Sequence, residues 1–236
     1  MKRSIIAVVF LICSFIFFRL FFLFHNFSLY ELSSFSDITK AFSLGFVFDL
    51  HSISFIFLPP LLLAIVLNSN KSLQQKVVVR LCSVVFFVCF LFAALCNYVD
   101  IAYYFFNSRR LSPDIFASFG DVQDQFLQLI KNFWYLLFIG IFHMVLVFIL
   151  LIRYNPFIFN KIISKKKKVL LLLMLTIMGA FFIRGGLQRK PLSVSHAFVF
   201  SNRDHSFLAL NSFFTFIRSS AAANIKKLTY FSSNKK

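Results

Sequence analysis

The sequence predicts an all-α membrane protein, with five transmembrane helices followed by an extracytoplasmic, interfacial helical linker. Three observations carry this. Of 236 residues, 59% are hydrophobic, 38 are Phe and only 14% are charged, where a soluble chain carries roughly a quarter charged residues. The apolar residues gather into five runs close to the length of about 20 residues that crosses hydrocarbon. The basic residues fall in clusters between those runs, so the net charge of +17 reads as loops facing an anionic leaflet and not as a nucleic-acid surface.

The first run, about 4–24, is too long for a signal peptide and lacks a small-residue cleavage site, so it should remain as an anchor. The second, about 44–67, contains Pro59 and Pro60; each removes a backbone donor, and a kink is expected there. The third, about 79–99, carries Cys82, Cys89 and Cys96 along one helical stripe. They lie roughly 10 Å apart, too far for a disulfide, and with Cys13 they read as packing residues. The fourth, about 132–152, contains His143 with no acid or Cys beside it, which reads as a hydrogen-bonded packing residue. The fifth, about 168–183, is short, but Lys165 to Lys168 and Arg184 can snorkel from its two ends.

Charge sets the orientation. Lys2, Arg3, Lys71, Lys76, Arg80, Arg153, Lys161 and Lys165 to Lys168 occupy one set of segments, without an acid among them. Glu31, Asp37, Asp100, Asp114, Asp121 and Asp124 fall in the opposite loops, beside only Lys40, Arg109, Arg110 and Lys131. The basic bias predicts the N-terminus inside. Five spans, residues 1–183, then place the linker, 184–236, outside.

Ionisable residues at membrane depth are costly and often functional. Asp49 and His51 in "GFVFDLHSISF" sit near the outer end of the second run, and Asp100 ends the third. Two readings stay open. The aspartates are hydrated at the interface or pair with Arg109, Arg110 or Arg19. Alternatively, Asp49, His51, Asp100, Arg109, Arg110 and Arg184 form a headgroup cluster, in which arginines fork onto lipid phosphate and aspartates hold them. His25 marks an outer span end. His196 and His205 flank "AFVFSNRD", but nothing nearby completes a metal ligand set. No nucleophile elbow, phosphate loop or zinc-protease motif is present, so no catalytic or metal residue is assigned. A transporter would favour internal repeats, and none is found.

The stretch "RGGLQRKPL" closes the fifth run. Gly185 and Gly186 permit a sharp turn, Pro191 stops a helix forming across it, and Arg184, Arg189 and Lys190 are expected at phosphate level. Beyond it, "SFLALNSFFTFIRSSAAANIKKLTYF" spaces Phe207, Leu208, Leu210, Phe213, Phe214, Phe216 and Ile217 among Arg218, Lys226 and Lys227. That pattern predicts an amphipathic helix lying on the outer leaflet, because too few residues follow to build a soluble core.

"FFIRGGLQRKPLSVSHAFVFSNRDHSFLALNSFFTFIRS" resembles the segment that joins the membrane and extracellular domains of lipoteichoic acid synthase-like proteins, the sulfatase-family phosphoglycerol transferases. "FDL" at Phe48 to Leu50 and "VDIAYYFFNSRRLSPDIF" from Val99 resemble that family's span exits, so the resemblance covers essentially the whole chain. It implies a membrane anchor and linker in a bacterial cytoplasmic membrane, in contact with anionic phospholipid headgroups and envelope-biogenesis proteins. It also implies that catalysis belongs to an alkaline phosphatase-like domain after the linker. There a threonine attacks a phospholipid headgroup phosphodiester beside a divalent metal, commonly manganese. None of those residues maps onto residues 1–236; Thr215 and Thr229 lie in the linker, and these residues alone are expected to be inactive. The alternative is a stand-alone membrane module that binds headgroups or a partner protein through its outer face.

Overall fold

The computed structural model describes residues 2–30, 33–68, 72–116, 131–159 and 164–222. Glu31, Lys71, Asp121, Asp124, Lys161, Lys226, Lys227 and Thr229 of the sequence pattern lie outside the described residues. Among the described residues, five long helices come first: α1 (Lys2–His25), α2 (Phe35–Val66), α3 (Ser72–Asn107), α4 (Trp134–Tyr154) and α5 (Lys165–Arg184). Two short ones follow, α6 (Arg203–Ala209) and α7 (Ser212–Ala222). Short 3₁₀ turns occupy Phe27–Leu29, Pro113–Phe116 and Val194–Ala197, and no strand occurs among the described residues.

Helices α1 to α4 are long and apolar enough to cross a membrane. Helix α5 differs, because its first turn is four lysines. The apolar stretch left, 169–183, reaches roughly 22 Å at 1.5 Å per residue, short of a hydrocarbon core of about 30 Å. Three boundaries depart clearly from the sequence expectation, one of them the start of α3, which lies at Ser72 and not near residue 79. Helix α2 starts at Phe35, well before residue 44, because Ser34 caps it by accepting from the Ser36 N–H and Asp37 sits in the first turn. Helix α3 continues past residue 99 to Asn107, since Tyr104 packs edge-on against Phe22 of α1 and rewards another two turns. Pro59 and Pro60 lie inside α2, which is unbroken across both.

Contacts at the helix ends set the packing. The Ser4 hydroxyl donates to the Pro156 carbonyl at 3.0 Å, and His25 Nε2 meets the Tyr135 hydroxyl at 2.8 Å, so α1 and α4 are antiparallel. Lys168 Nζ reaches the Asn68 carbonyl at 3.4 Å, joining the start of α5 to the end of α2. One end of the bundle therefore gathers Lys2, Arg3, Lys76, Arg80, Arg153 and the α5 lysines. Side chains such as Val88, Phe138, Ile141 and Met174 cover the outside of the bundle, which is consistent with a membrane protein.

The interior is largely aromatic. His143 lies among Phe10, Phe17, Phe18 and Phe90, with Nδ1 3.0 Å from the Tyr98 hydroxyl and Nε2 2.9 Å from Ser14 Oγ. Both ring nitrogens are therefore satisfied within the protein, as a buried packing histidine requires. Cys82 and Cys96 are buried and Cys89 is half-buried along the same side of α3.

The largest correction concerns the tail. Phe207, Leu208, Leu210, Phe213 and Phe214 do not lie along a lipid surface; they are buried against α1, α2 and α3. Phe214 packs edge-on to Phe48 and His51, and Phe207 to Tyr104. The objection that too few residues remain to form a core falls away, because the helix bundle supplies the other half of it.

Candidate functional site: a buried arginine clamp

The break between α6 and α7 creates a problem that two arginines solve. Leu210 adopts extended backbone, so the last carbonyls of α6 lose their helical donors. Orphaned carbonyls in an apolar interior cost several kcal/mol each. Arg19 of α1 donates through Nη1 to the carbonyls of Leu208 and Ala209, the latter at 2.7 Å. Arg110 donates through Nε to the Phe207 carbonyl at 2.8 Å and through Nη2 to the Leu210 carbonyl at 2.9 Å. Four consecutive carbonyls thus meet positive charge at a helix C-terminus, where the helix dipole favours it.

Each arginine is neutralised by an aspartate. Arg19 Nη2 lies 2.7 Å from Asp49 Oδ1 and 2.9 Å from the Gly45 carbonyl. Arg110 Nη1 pairs with Asp100 Oδ2, while Asp100 Oδ1 accepts from the Leu111 N–H. The Arg110 guanidinium also stacks over the Phe22 ring, 3.5 Å from its centroid. Arg19, Asp49, Asp100 and Arg110 are 4%, 2%, 0% and 7% exposed. A charge so buried is tolerable only when it is paired and hydrogen-bonded; here Arg110 donates from all three of its nitrogens and Arg19 from both terminal ones.

Asn211 completes the joint. Its Oδ1 accepts from the Phe214 N–H at 2.8 Å, the N-cap geometry that starts α7. Its Nδ2 donates to Asp49 Oδ1 at 3.0 Å, and the Ser52 hydroxyl donates to its Oδ1 at 3.1 Å. Between the two guanidiniums, Asn97 and Asn211 remains a cavity of only about 10 Å³. That is one water in size and far too small for a phosphate.

The structure therefore brings together Asp49, Asp100 and Arg110 of the sequence candidates, with Arg19 as the partner of Asp49. His51 lies beside them, its Nδ1 2.6 Å from the Ile183 carbonyl at the end of α5. Arg109 and Arg184 are not part of this cluster: Arg109 is exposed, and Arg184 Nη2 donates to the carbonyls of Gln188 and Arg189 within its own loop. No protein-family model, curated protein or solved structure matches the chain. Sequence reasoning missed Gly45, Asn97 and Asn211 as parts of this site. Asn211 had a signal, since Asn before "SFF" opens a helix; Gly45 had none, because its role is to leave space for Arg19. His205 and His196, the other tail histidines, bind Ser33 and Ser193 respectively, and no metal-binding group of three or more ligands occurs among the described residues.

The turn leading into the tail follows its sequence reading in part. Gly185 and Gly186 have φ of 87° and 114°, and their N–H groups return to the carbonyls of Phe181 and Phe182. A Cβ at Gly185 would also sit 2.7 Å from Leu192 Cβ. Gly185→Ala is expected to lower stability by about 1–2 kcal/mol from its left-handed backbone, read by thermal unfolding in detergent; an unchanged midpoint would contradict the turn.

A second network holds the start of α6. The Tyr30 hydroxyl donates to the Asp204 carbonyl at 3.0 Å, and the Tyr104 hydroxyl donates to Asp204 Oδ1 at 2.9 Å. Burial pushes the Tyr30 phenol up from its ordinary value of 10.0; nearby Arg110 opposes the shift and Asp204 adds to it. The folded state thus holds this proton more tightly than the unfolded chain. The corresponding stability is complete below pH 10 and falls as pH rises above it. Tyr30→Phe is expected to give a shallower alkaline decline in unfolding temperature than the wild type; equal slopes would count against the assignment.

Proposed function

We propose that this chain is the membrane anchor and linker of a lipoteichoic acid synthase-like phosphoglycerol transferase in a bacterial cytoplasmic membrane. The observation that carries the reading is the clamp. A linker that only tethered a domain would need no buried contacts, yet residues 207–212 are fastened to α1, α2 and α3 through two paired arginines. A fastened linker fixes the height and direction at which the chain leaves the bundle. That suits an enzyme whose substrate is a lipid headgroup, because effective catalysis depends on holding the reacting groups in a narrow geometry.

In this reading the bundle contributes position and no chemistry. Residues 1–236, purified and mixed with phosphatidylglycerol and Mn²⁺, are expected to release no diacylglycerol; release would place catalysis within them and overturn the assignment. The intact mass of the native gene product tests the other half. A product that extends past Lys236 into a domain with a metal-ligated threonine supports the anchor, and a native product ending at Lys236 sinks it in favour of a stand-alone module.

A further inference from the structure

At the basic end of the bundle, opposite the clamp, a groove of about 1090 Å³ runs between the first turns of α3 and the last turns of α4. It is open on one side. Val79, Val84, Phe87, Phe148, Leu151 and Ile152 form its walls. Its polar groups are mostly satisfied from within: Gln75 Nε2 donates to the Phe159 carbonyl at 3.2 Å, and Asn155 Nδ2 donates to Ser83 Oγ at 2.7 Å. Lys76 and Arg80 are different. Both line the groove, both are exposed, and neither has a partner among the described residues. Four residues apart on α3, they lie on one face of the helix.

The volume is at the upper limit of ordinary small-molecule pockets, roughly 300–1000 Å³. The lining combines a long apolar wall with two cations at one end, the complement of an acyl chain carrying an anionic head. The rest of this end adds Lys2, Arg3, Arg153 and Lys165 to Lys168 and no acid, an excess of positive charge that attracts anionic headgroups. We propose that this groove binds one anionic phospholipid, with its phosphate on Lys76 and Arg80 and an acyl chain along α3 and α4. The assignment depends on the helices spanning a bilayer and is independent of the anchor reading.

The test uses the full chain in detergent, titrated with dioleoyl phosphatidylglycerol or dioleoyl phosphatidylcholine and read by native mass spectrometry. The wild type is expected to retain one phosphatidylglycerol in preference to phosphatidylcholine. The exposed pair Lys76→Gln/Arg80→Gln should weaken phosphatidylglycerol retention at least about tenfold. Lys165→Gln/Lys166→Gln, which removes the same charge outside the groove, should leave it within about twofold of the wild type. Val84→Trp, which fills the groove, should reduce retention without changing net charge. Absence of headgroup preference in the wild type, an equal loss in the Lys165/Lys166 control, or full retention in Val84→Trp would each overturn the proposal.

Discussion

Replacing Asp100 with Ala is expected to release the tail from the bundle. The substitution leaves the Arg110 guanidinium buried without its counter-charge and the Leu111 N–H without its acceptor. Removing one partner of a buried pair costs about 3–5 kcal/mol, well above the net value of the pair itself, because the remaining charge stays desolvated. The protein can reduce that cost by letting Arg110 move toward water, which frees the carbonyls of Phe207 and Leu210. Two readings should therefore change together: a lower unfolding temperature in detergent and new protease cleavage between residues 203 and 222. The double variant Asp100→Ala/Arg110→Met removes the stranded charge but leaves two carbonyls unmet. It should lose less than the sum of the single variants. Wild-type protection of the tail in Asp100→Ala would show that the clamp does not hold it.

Gly45→Ala should have an effect of similar size through space alone. A Cβ at Gly45 would lie 2.1 Å from Arg19 Nη1 and 2.2 Å from its Cζ. The guanidinium cannot step aside, since Asp49, the Gly45 carbonyl and the carbonyls of Leu208 and Ala209 fix it on several sides. Displacing it breaks the pair with Asp49, at a cost again of about 3–5 kcal/mol. An ordinary Gly→Ala change inside a helix has the opposite sign, stabilising by up to about 1 kcal/mol. The sign is thus diagnostic. In an Arg19→Met background, where the guanidinium is gone, Gly45→Ala should be neutral or slightly stabilising. A harmless Gly45→Ala in the wild-type background would mean that Arg19 is not held where the structure puts it.

Local pattern made much of the bundle readable. Apolar runs of near-membrane length marked all five long helices, and the isolated position of His143 marked it as a packing residue. Boundaries were less readable, because the extra turns of α2 and α3 depend on a serine cap and on Tyr104 meeting Phe22 from another helix. The aspartates stood out at Asp49 and Asp100, but their partners did not follow from spacing. Arg19 and Asp49 are thirty residues apart on different helices, whereas adjacent Arg109 and Arg110 meet quite different surroundings.

By itself, then, the sequence determined the helical class, the apolar length of four helices, the gathering of basic residues at alternate helix ends and the glycine turn after α5. These are properties of composition and of residues close along the chain. Only the tertiary structure decided the fate of residues 203–222. The same apolar spacing suits a lipid surface and a groove between helices, and nothing within the segment distinguishes them. The choice is made by donors from elsewhere in the chain, Arg19 and Arg110, which satisfy the carbonyls freed where α6 ends and α7 begins.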